Sequence, residues 1–409
     1  IMQIKASEKA NRTLNPIRAI VDKVLSGPPS TSGLDRIPLS LGDPTHFGNL
    51  LPPPSLTSAI SSLADSHKDD GYIPAVGSPA LRSAVAQAFS EDGVSYSSDD
   101  VVVASGCSGA LELLLTALLN PGDNVLVPRP GFPLYEVIAN SHGASVKYYD
   151  LDPDQGWNVD LKSVEAQCDS KTRGIVINNP SNPCGSVFGK EHLKDLLSLC
   201  STLGILPIGD EVYGGMTFPG SQTYHSLASV SATLLSGSVP VVSACGMAKQ
   251  YLVPGWRVGW LTFYGPDLAD LKAGVHRLAQ VVLGACSLAQ AASARALGED
   301  LNSFKRELNE KLAGQAAALE GALEGSHGLT VVKAQGAMYT MVKLDPSAFS
   351  DVADDVEFTR MLLEEFNVFA LPGSAFGIDN FFRAVYCAPE GMLKEAGERI
   401  KQFCEKHKA

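Results

Sequence analysis

The sequence predicts an α/β protein with a large, mostly parallel sheet and a smaller α+β unit. Between residues 99 and 263, short apolar runs rich in β-branched residues alternate with helical stretches, the pattern of parallel strands joined by crossover helices. After Leu297 the pattern changes to a long charged helix followed by further strands and helices. The chain has 409 residues, of which 45% are hydrophobic and 19% charged, so it is long enough for two or three packed domains.

The elements of the large unit follow in chain order. A Ser-, Gly- and Pro-rich stretch, Ser26–Asp35, predicts a loop, and Leu56–Ala64 and Ala80–Phe89 have helical apolar spacing. The first strand, Asp99–Ala104, leads through a Gly/Ser turn into a helix, Ala110–Leu119. Six more strands are predicted at Asn124–Pro128, Ser145–Asp150, Arg173–Asn178, Leu206–Gly209, Val241–Ala244 and Val258–Phe263, with a helix at His192–Leu203.

The C-terminal part is predicted as an appended α+β unit. It begins with a long helix, Leu301–Leu323, whose apolar residues recur at helical spacing. The remaining predicted elements are strands Leu329–Val332, Tyr339–Val342, Val368–Leu371 and Phe382–Tyr386 and helices Val356–Phe366 and Pro389–His407.

Composition and spacing exclude several classes of function. A formal net charge of −12 disfavours nucleic-acid binding, because an acidic surface repels phosphate. The eight cysteines form no CxxC pair and the eight histidines no HExxH spacing, so we expect buried or half-buried free thiols and no metal. With no apolar run of membrane-spanning length, we expect no membrane contact and a cytosolic location, a mitochondrial one staying open.

Ligands of open α/β sheets bind at the carboxyl ends of the strands, so the residues that follow each strand are informative. Ser105–Gly109 follows the first strand and offers backbone N–H groups and a hydroxyl to a phosphate, although an ordinary strand–helix turn explains it equally well. Asn179–Gly185 contains two Asn-Pro steps, which restrict the backbone and favour Asn182 as a fixed hydrogen-bond donor over a simple turn residue.

Two later strands end in charged residues. Asp210 follows an apolar strand, and a carboxylate at that position needs a cationic partner. This interpretation is favoured over a helix N-cap because the strand is so apolar. Tyr213 lies three residues later. Lys249 follows Val241–Ala244 among small and apolar residues. These neighbours favour a nucleophilic amine over a lysine on a solvated surface. Arg257 lies eight residues later. A phosphate cradle, a carboxylate, a phenol and an amine together suit pyridoxal 5′-phosphate (PLP), whereas the GxGxxG of a nicotinamide site is absent.

With these residues in place, the chain resembles the class I (fold type I) PLP-dependent aminotransferases, and within them the tyrosine-type branch. The resemblance extends from Asn15–Asp22 to the last helix. Its motifs are Ser40–Thr45, Gly71–Pro74, Arg129–Phe132, Asn179–Gly185, Leu252–Arg257, Gly336–Tyr339 and Asp355–Phe358. It implies a large PLP-binding domain over residues 46–300 and a small domain formed by residues 1–45 and 301–409.

The resemblance also implies roles for individual residues. For the cofactor, Lys249 forms the Schiff base, Asp210 pairs with the ring nitrogen, and Tyr213 and Asn182 bind the phenolate oxygen. Phe132 stacks on the ring, and the phosphate is held by Gly106, Cys107, Ser108 and Arg257. Tyr72 reaches the phosphate in a neighbouring subunit, so a homodimer with active sites at the interface is implied. One departure is Gly246, where many relatives carry a phosphate-binding Ser or Thr.

For the substrate, Arg383 is implied to bind the α-carboxylate, helped by Asn182 and the Gly42 backbone, with Asn15 and Arg18 lining the site. The implied catalytic residues are Lys249, Asp210 and Tyr213. The implied reaction is ping-pong transfer of an amino group from L-tyrosine or another aromatic amino acid to 2-oxoglutarate or another 2-oxo acid. Alternatives that stay open are a broad-specificity or alanine aminotransferase and a PLP-dependent C–S β-lyase.

Overall fold

The computed structural model describes residues 4–25, 30 and 32–409. Its helices are α1 Glu8–Arg12, α2 Pro16–Leu25, α3 Pro54–Ser66, α4 Pro79–Phe89, α5 Gly106–Leu118, α6 Leu134–Ser141, α7 Leu161–Gln167, α8 Lys190–Leu203, α9 Leu227–Leu234, α10 Ala269–Val282, α11 Ser287–Leu297, α12 Asn302–Leu323, α13 Asp355–Phe366 and α14 Glu390–Lys406. Part of the predicted loop Ser26–Asp35 lies outside the described residues.

The strands are β1 Ile37–Pro38, β2 Val101–Ser105, β3 Asn124–Arg129, β4 Ser145–Asp152, β5 Asn158–Val159, β6 Thr172–Asn178, β7 Leu206–Asp210, β8 Val241–Gly246, β9 Val258–Tyr264, β10 Leu329–Val332, β11 Tyr339–Leu344, β12 Val368–Phe369, β13 Leu371–Pro372 and β14 Phe381–Val385. Their bounds agree with most of the predicted strands to within a few residues.

The large sheet has the order β2-β9-β8-β7-β6-β3-β4-β5. Neighbouring strands from β8 to β4 are parallel, whereas β9 is antiparallel to both β8 and β2, and β5 is antiparallel to β4. The predicted α/β class with a mostly parallel sheet is therefore confirmed. The prediction of seven strands missed β5, because two residues are too short to produce a periodic pattern.

The large sheet is buried on both faces, as its continuous apolar strands predict. Alternate residues of β6 belong to different apolar clusters: Ile175 and Ile177 pack with α8, whereas Val176 packs on the opposite side with α5. Because side chains of a strand alternate between faces, this arrangement requires helices on both sides of the sheet. Such a doubly wound sheet leaves its strand ends, rather than its faces, open to a ligand.

The C-terminal unit contains a four-stranded antiparallel sheet, β10-β11-β14-β13, packed with α12, α13 and α14. The predicted strand Val368–Leu371 is wrong as one element. Val368 and Phe369 pair in parallel with β1, whereas Leu371 and Pro372 pair with β14. The β1–β12 pair joins the N-terminal segment to this unit, which supports a small domain built from both chain ends, although its bounds stay a prediction.

Two further sequence expectations concern exposed features. All eight cysteines are free thiols, but Cys286 is exposed, so the expectation that every thiol is at least half-buried is wrong there. Cys286 immediately precedes α11 at the surface, where its environment is set by a turn that composition does not reveal. No helix in the described part of the chain is both long and apolar enough to cross a membrane.

Candidate active site

Residues at the carboxyl ends of β2, β3, β6, β7 and β8 converge on a cavity of about 700 Å³. The predicted site residues that line it are Gly42, Cys107, Ser108, Phe132, Asn182, Asp210, Tyr213, Lys249, Arg257, Arg383, Asn15 and Arg18. Gly106 lies directly beside Arg257 at its edge. Tyr72 is outside the cavity of its own chain and is 98% exposed.

The turn between β2 and α5 brings backbone N–H groups close to a guanidinium. Gly106 has a φ of 74°, and a Cβ there would lie 2.6 Å from Nη2 of Arg257, so only glycine fits. A Cβ at Gly259 would clash with the Cys107 backbone nitrogen, which shows how closely β9 approaches the start of α5. The N-cap residue Ser105 makes no side-chain cap, so the first N–H groups of α5 remain available to an anion beside Arg257.

Asp210 is the last residue of β7 and is almost fully buried. Its carboxylate accepts hydrogen bonds from the Tyr135 hydroxyl at 2.6 Å and the Cys107 thiol at 3.6 Å. Burial raises the pKa of the Asp210 carboxyl, and the hydrogen bonds from Tyr135, the Val212 N–H and Cys107 oppose that rise. In the described part of the chain no cation lies within ion-pair distance of Asp210, so a ligand cation would complete its environment.

The loop after β6 joins Asp210 to the far side of the cavity. Asn178, the last residue of β6, donates from Nδ2 to the Asp210 carbonyl at 3.0 Å and accepts from the Asn182 N–H at 2.6 Å. The Asn182 side chain is thereby held at the cavity wall, where its Oδ1 accepts from Nη1 of Arg383 at 3.0 Å. The expected fixed position of Asn182 therefore has a physical cause in Asn178.

Lys249 follows β8 and is half-buried, with its Nζ donating to the Gly42 carbonyl. Gly42 belongs to the N-terminal segment that follows β1, so this contact brings the amine to the boundary between the two units. Phe132, which follows β3, contacts Tyr135 edge to face and contributes an aromatic wall to the same cavity. An amine, a carboxylate and an aromatic ring thus face one space.

Arg383 is a buried guanidinium whose hydrogen bonds go to uncharged groups. Besides Asn182, its Nη2 donates to the Ser40 carbonyl at 2.6 Å, and its Nε has no partner in the described structure. Burial lowers the pKa of Arg383, and no described carboxylate lies within ion-pair distance. A buried cation with a spare donor is a binding site for an anion, and the planar fork suits a carboxylate.

The predicted N-terminal contacts lie at the mouth of the cavity. Asn15 and Arg18 are exposed, and the Arg18 N–H donates to Oδ1 of Asn15 at 3.3 Å at the start of α2. They line the cavity and make no described hydrogen bond to Arg383 or Lys249, so their part in binding stays a prediction.

The family model described as aminotransferase class I and II matches residues 35–400, nearly the whole chain. This chain belongs to the class I and II aminotransferases. Mouse tyrosine aminotransferase is 42% identical over 99% of this chain and 88% of its own length. Among solved structures, tyrosine aminotransferase from Leishmania infantum has a TM-score of 0.94 at 36% identity, with both chains fully covered. Alanine aminotransferase from Pyrococcus furiosus has a TM-score of 0.90 at 30% identity, covering 98% of this chain and all of its own.

Sequence reasoning missed three residues of this aminotransferase site. Tyr135 donates to Asp210, Asn178 holds Asn182, and the Tyr339 hydroxyl lies 2.7 Å from the Tyr213 hydroxyl. Asn178 ends a predicted strand and Tyr339 ends a quoted motif, so both carried a signal. Tyr135 carried only its place three residues after Phe132.

Proposed function

We propose that this aminotransferase uses PLP to transfer the amino group of L-tyrosine, or another aromatic amino acid, to 2-oxoglutarate or another 2-oxo acid, giving 4-hydroxyphenylpyruvate and glutamate from the first pair. The observation that carries the proposal is the convergence of Lys249, Asp210 and Arg383 on one cavity. The substrate is taken from the tyrosine aminotransferases that this chain resembles over nearly its full length.

The residues present fit the cofactor. A buried carboxylate that has no cationic partner in the described residues suits a protonated ring nitrogen, and the uncapped start of α5 with Arg257 suits a phosphate. We assign the phosphate to Gly106, Cys107, Ser108 and Arg257, the ring nitrogen to Asp210, the phenolate oxygen to Tyr213 and Asn182, and the ring face to Phe132. When bound, PLP supplies an aldehyde that reacts with amines and a ring that accepts electrons released at the substrate Cα.

The chain's own residues bind the substrate and move its proton. Arg383 holds the α-carboxylate through its planar fork, and Asn182 fixes the orientation of that fork. With PLP bound, the Lys249 amine would take the proton from the substrate Cα as a base and later give it up as an acid. Asp210 keeps the ring nitrogen protonated, for which it must stay ionised despite its burial. The hydrogen bonds from Tyr135 and Cys107 favour that ionised form.

The cavity lining supports an aromatic donor. Apolar side chains of Ile17, Val21, Leu41, Phe369 and Leu371 line it, and they come from α2, the segment after β1, and strands β12 and β13. An aryl ring gains free energy when it leaves water for such a surface. The amino group of tyrosine would then face Lys249 while its ring packs against these residues.

We also propose a homodimer in which Tyr72 completes the neighbouring site. Tyr72 is almost fully exposed, and an exposed apolar run, Val281–Leu283, lies nearby, since a Cβ at Gly284 would lie 3.1 Å from the Ala75 carbonyl. Contiguous exposed apolar side chains are typical of subunit interfaces. Eight free thiols support a reducing compartment, and we propose the cytosol, with the mitochondrion as the alternative.

The substrate proposal is tested by steady-state kinetics with a panel of donors and acceptors. We expect kcat/KM for tyrosine and phenylalanine with 2-oxoglutarate to exceed that for alanine at least tenfold. A preference for alanine would favour a broad-specificity or alanine enzyme, in line with the likeness to the Pyrococcus furiosus enzyme. Release of pyruvate and thiol from a cysteine conjugate, without transamination, would instead make the chain a C–S β-lyase.

A further inference from the structure

Tyr339 connects the proposed carboxylate-binding and cofactor-binding sides of the cavity. It is the first residue of β11, it is 2% exposed, and it lines the cavity. Its hydroxyl lies 2.7 Å from the Tyr213 hydroxyl, and its ring lies beneath the guanidinium of Arg383. No role follows for Tyr339 from the proposed transfer reaction itself, so these contacts need a separate explanation.

The pairing of β11 with β14 explains the contact with Arg383. Tyr339 is opposite Val385, and Arg383 is opposite Met341, so Tyr339 and Arg383 are diagonal neighbours on one face of the sheet. The Arg383 Cζ lies 4.5 Å from the Tyr339 ring centroid and 4.7 Å from that of Phe376. Two aromatic rings therefore hold the guanidinium by cation–π attraction, for which a phenyl ring would also serve.

Stacking on Arg383 does not account for the Tyr339 hydroxyl. The hydroxyl contacts the Tyr213 hydroxyl as its one hydrogen-bond partner in the described structure. The Gly42 backbone packs so closely against it that a Cβ at Gly42 would clash with the oxygen. A buried hydroxyl that is enclosed in this way costs free energy unless it makes a hydrogen bond. The contact with Tyr213 therefore accounts for the presence of a hydroxyl on residue 339.

Either hydroxyl could donate in that hydrogen bond, and the proposed role of Tyr213 selects the direction. Each phenol carries one proton, so the bond between the two hydroxyls uses one of the two. If Tyr213 donated to Tyr339, it would have no proton left for the phenolate oxygen of the cofactor. Burial raises the pKa of the Tyr213 phenol well above its usual value, and the neighbouring Tyr339 adds to that rise. Tyr213 therefore keeps its proton at neutral pH, with Asp210 and Arg383 as its charged neighbours.

We propose that Tyr339 is a positioning residue that donates its proton to the Tyr213 oxygen and thereby directs the Tyr213 proton into the cavity, towards the cofactor. This inference rests on the proposed role of Tyr213. It explains why tyrosine, rather than phenylalanine, occupies the position under Arg383: the ring holds the substrate-binding arginine, and the hydroxyl orients the cofactor-binding phenol.

The test is the pH titration of the visible absorbance of the PLP-loaded protein. Tyr339→Phe keeps the ring under Arg383 and removes the donor. When the Tyr213 hydroxyl is less well directed, it stabilises the phenolate oxygen of the cofactor less. The titrating proton of the bound cofactor is then lost only at higher pH. We expect the midpoint to rise by roughly half to one pH unit, the size of one lost hydrogen bond, with KM for tyrosine changed less than twofold.

Three further variants make the result specific. Tyr213→Phe should raise the midpoint more than Tyr339→Phe does. The double variant should match Tyr213→Phe alone, because the two hydroxyls act as one unit. Phe376→Leu, which removes only the other ring over Arg383, should raise KM for tyrosine and leave the midpoint unchanged.

An unchanged midpoint in Tyr339→Phe, with a raised midpoint in Tyr213→Phe, would overturn the inference and leave the proposed function intact. An unchanged midpoint in both would count against the cofactor role of Tyr213 itself. Additive shifts in the double variant would also overturn the inference, because independent effects mean that the hydroxyls are not coupled. If Tyr339→Phe does not fold, Tyr339→Leu must show the same rise in midpoint together with a raised KM, and its absence again refutes the inference.

Discussion

At the scale of single residues, the cavity has a charge opposite to that of the whole chain. The chain has a net charge of −12, yet basic side chains outnumber acidic ones around the cavity. The described charged residues there are the bases Arg18, Arg36, Lys249, Arg257 and Arg383 and the acids Asp43 and Asp210. Lys249, Arg257 and Arg383 are assigned to the cofactor and the α-carboxylate. Arg18 and Arg36 remain, and a second carboxylate on the acceptor, as in 2-oxoglutarate, would match them.

Arg36 is the better placed of the two for such a contact. Its Nε donates to Oδ1 of Asn367 at 3.2 Å, which holds the stem of the side chain. The outer nitrogens have no hydrogen-bond partner among the described residues and can bind a ligand. Asn367 is itself held, since its Nδ2 donates to the Leu34 carbonyl at 2.7 Å. An arginine fixed in this way loses less entropy when it binds a carboxylate.

Arg36→Gln should therefore raise KM for 2-oxoglutarate by about tenfold, the effect of one charge-assisted hydrogen bond, and change KM for pyruvate by less than twofold. Steady-state kinetics with tyrosine as a fixed donor measures both. Arg277→Gln, an exposed arginine of α10 outside the cavity, is the matched control. Equal effects of Arg36→Gln on the two acceptors would mean that Arg36 stabilises the fold of the segment rather than binding the second carboxylate.

The residues that sequence reasoning found and those it missed differ in a physical way. Asp210 directly follows a predicted strand, Lys249 lies a few residues after one, and Asn182 belongs to a rigid turn, so local pattern was enough to select them. Tyr135 and Tyr339 matter because α6 meets β7 and because β11 meets the loop after β7. Contacts between elements distant in the chain depend on the packed structure, which no local pattern encodes.

At the scale of elements, a buried acid joins β7 to α9. Glu211 directly follows β7, is 6% exposed, and its Oε1 accepts from the Leu227 N–H at the start of α9 at 2.8 Å. Burial raises the pKa of the Glu211 carboxyl from 4.5 to about 7, with the neighbouring Asp210 adding to the rise and the Leu227 N–H opposing it. The folded protein thus holds the Glu211 proton more tightly than the unfolded chain does.

The Glu211 carboxyl should make stability depend on pH. The unfolded chain releases this proton near pH 4.5 and the folded protein near pH 7, so the stabilisation is complete below pH 4.5 and is lost as pH rises through 7. Glu211→Gln cannot ionise at this position. Its free energy of unfolding, relative to that of the natural protein, should therefore rise by roughly 2 to 3 kcal/mol between about pH 5 and about pH 8. Urea unfolding at both pH values measures this difference.

The control for that measurement is Glu299→Gln, in which an exposed glutamate is replaced. In this control, the change in the free energy of unfolding between the two pH values should equal that of the natural protein. If Glu211→Gln behaves in the same way, Glu211 is ionised in the folded protein throughout this range, and its hydrogen bond to α9 has no pH dependence.

The elements also differ in how well the sequence predicts them. The prediction Leu301–Leu323 matches α12 because many turns of consistent apolar spacing outweigh local noise. Val368–Leu371 was predicted as one strand, since four apolar residues give no sign that the chain changes sheets at Ala370. Short elements such as β5 and α1 depend on tertiary contacts and caps rather than on periodicity.

At the scale of the whole molecule, the exposed apolar surface near Tyr72 is the feature that a single chain leaves unexplained. A second cavity, of about 240 Å³, lies between Ala75, Ser105 and Val281, beside the turn between β2 and α5. A second subunit that covers this face would bury Val281–Leu283. In the proposed dimer it would also bring its own Tyr72 to the cavity of the first, and two-fold symmetry would make that contact reciprocal.

Mixing two variants tests this shared site. Tyr72→Ala should weaken PLP binding by tenfold or more while leaving the dimer intact, and Lys249→Ala should be inactive. After subunit exchange, one site of each mixed dimer has both Lys249 and a neighbouring Tyr72, so high-affinity PLP-dependent activity should return. Light scattering verifies the dimer throughout. A monomeric natural protein, or a mixture with no regained activity, would contradict the proposed interface.

Lys249 is the residue on which the whole account depends, because its amine is both the proposed attachment point of the cofactor and the group that moves the substrate proton. The most direct measurement is borohydride reduction of the PLP-loaded protein, followed by proteolysis and mass spectrometry of the peptides. We expect the mass of the reduced cofactor on the peptide that contains Lys249 and on no other, and its loss in Lys249→Ala. A reduced adduct at a different lysine, or none at all, would contradict the account.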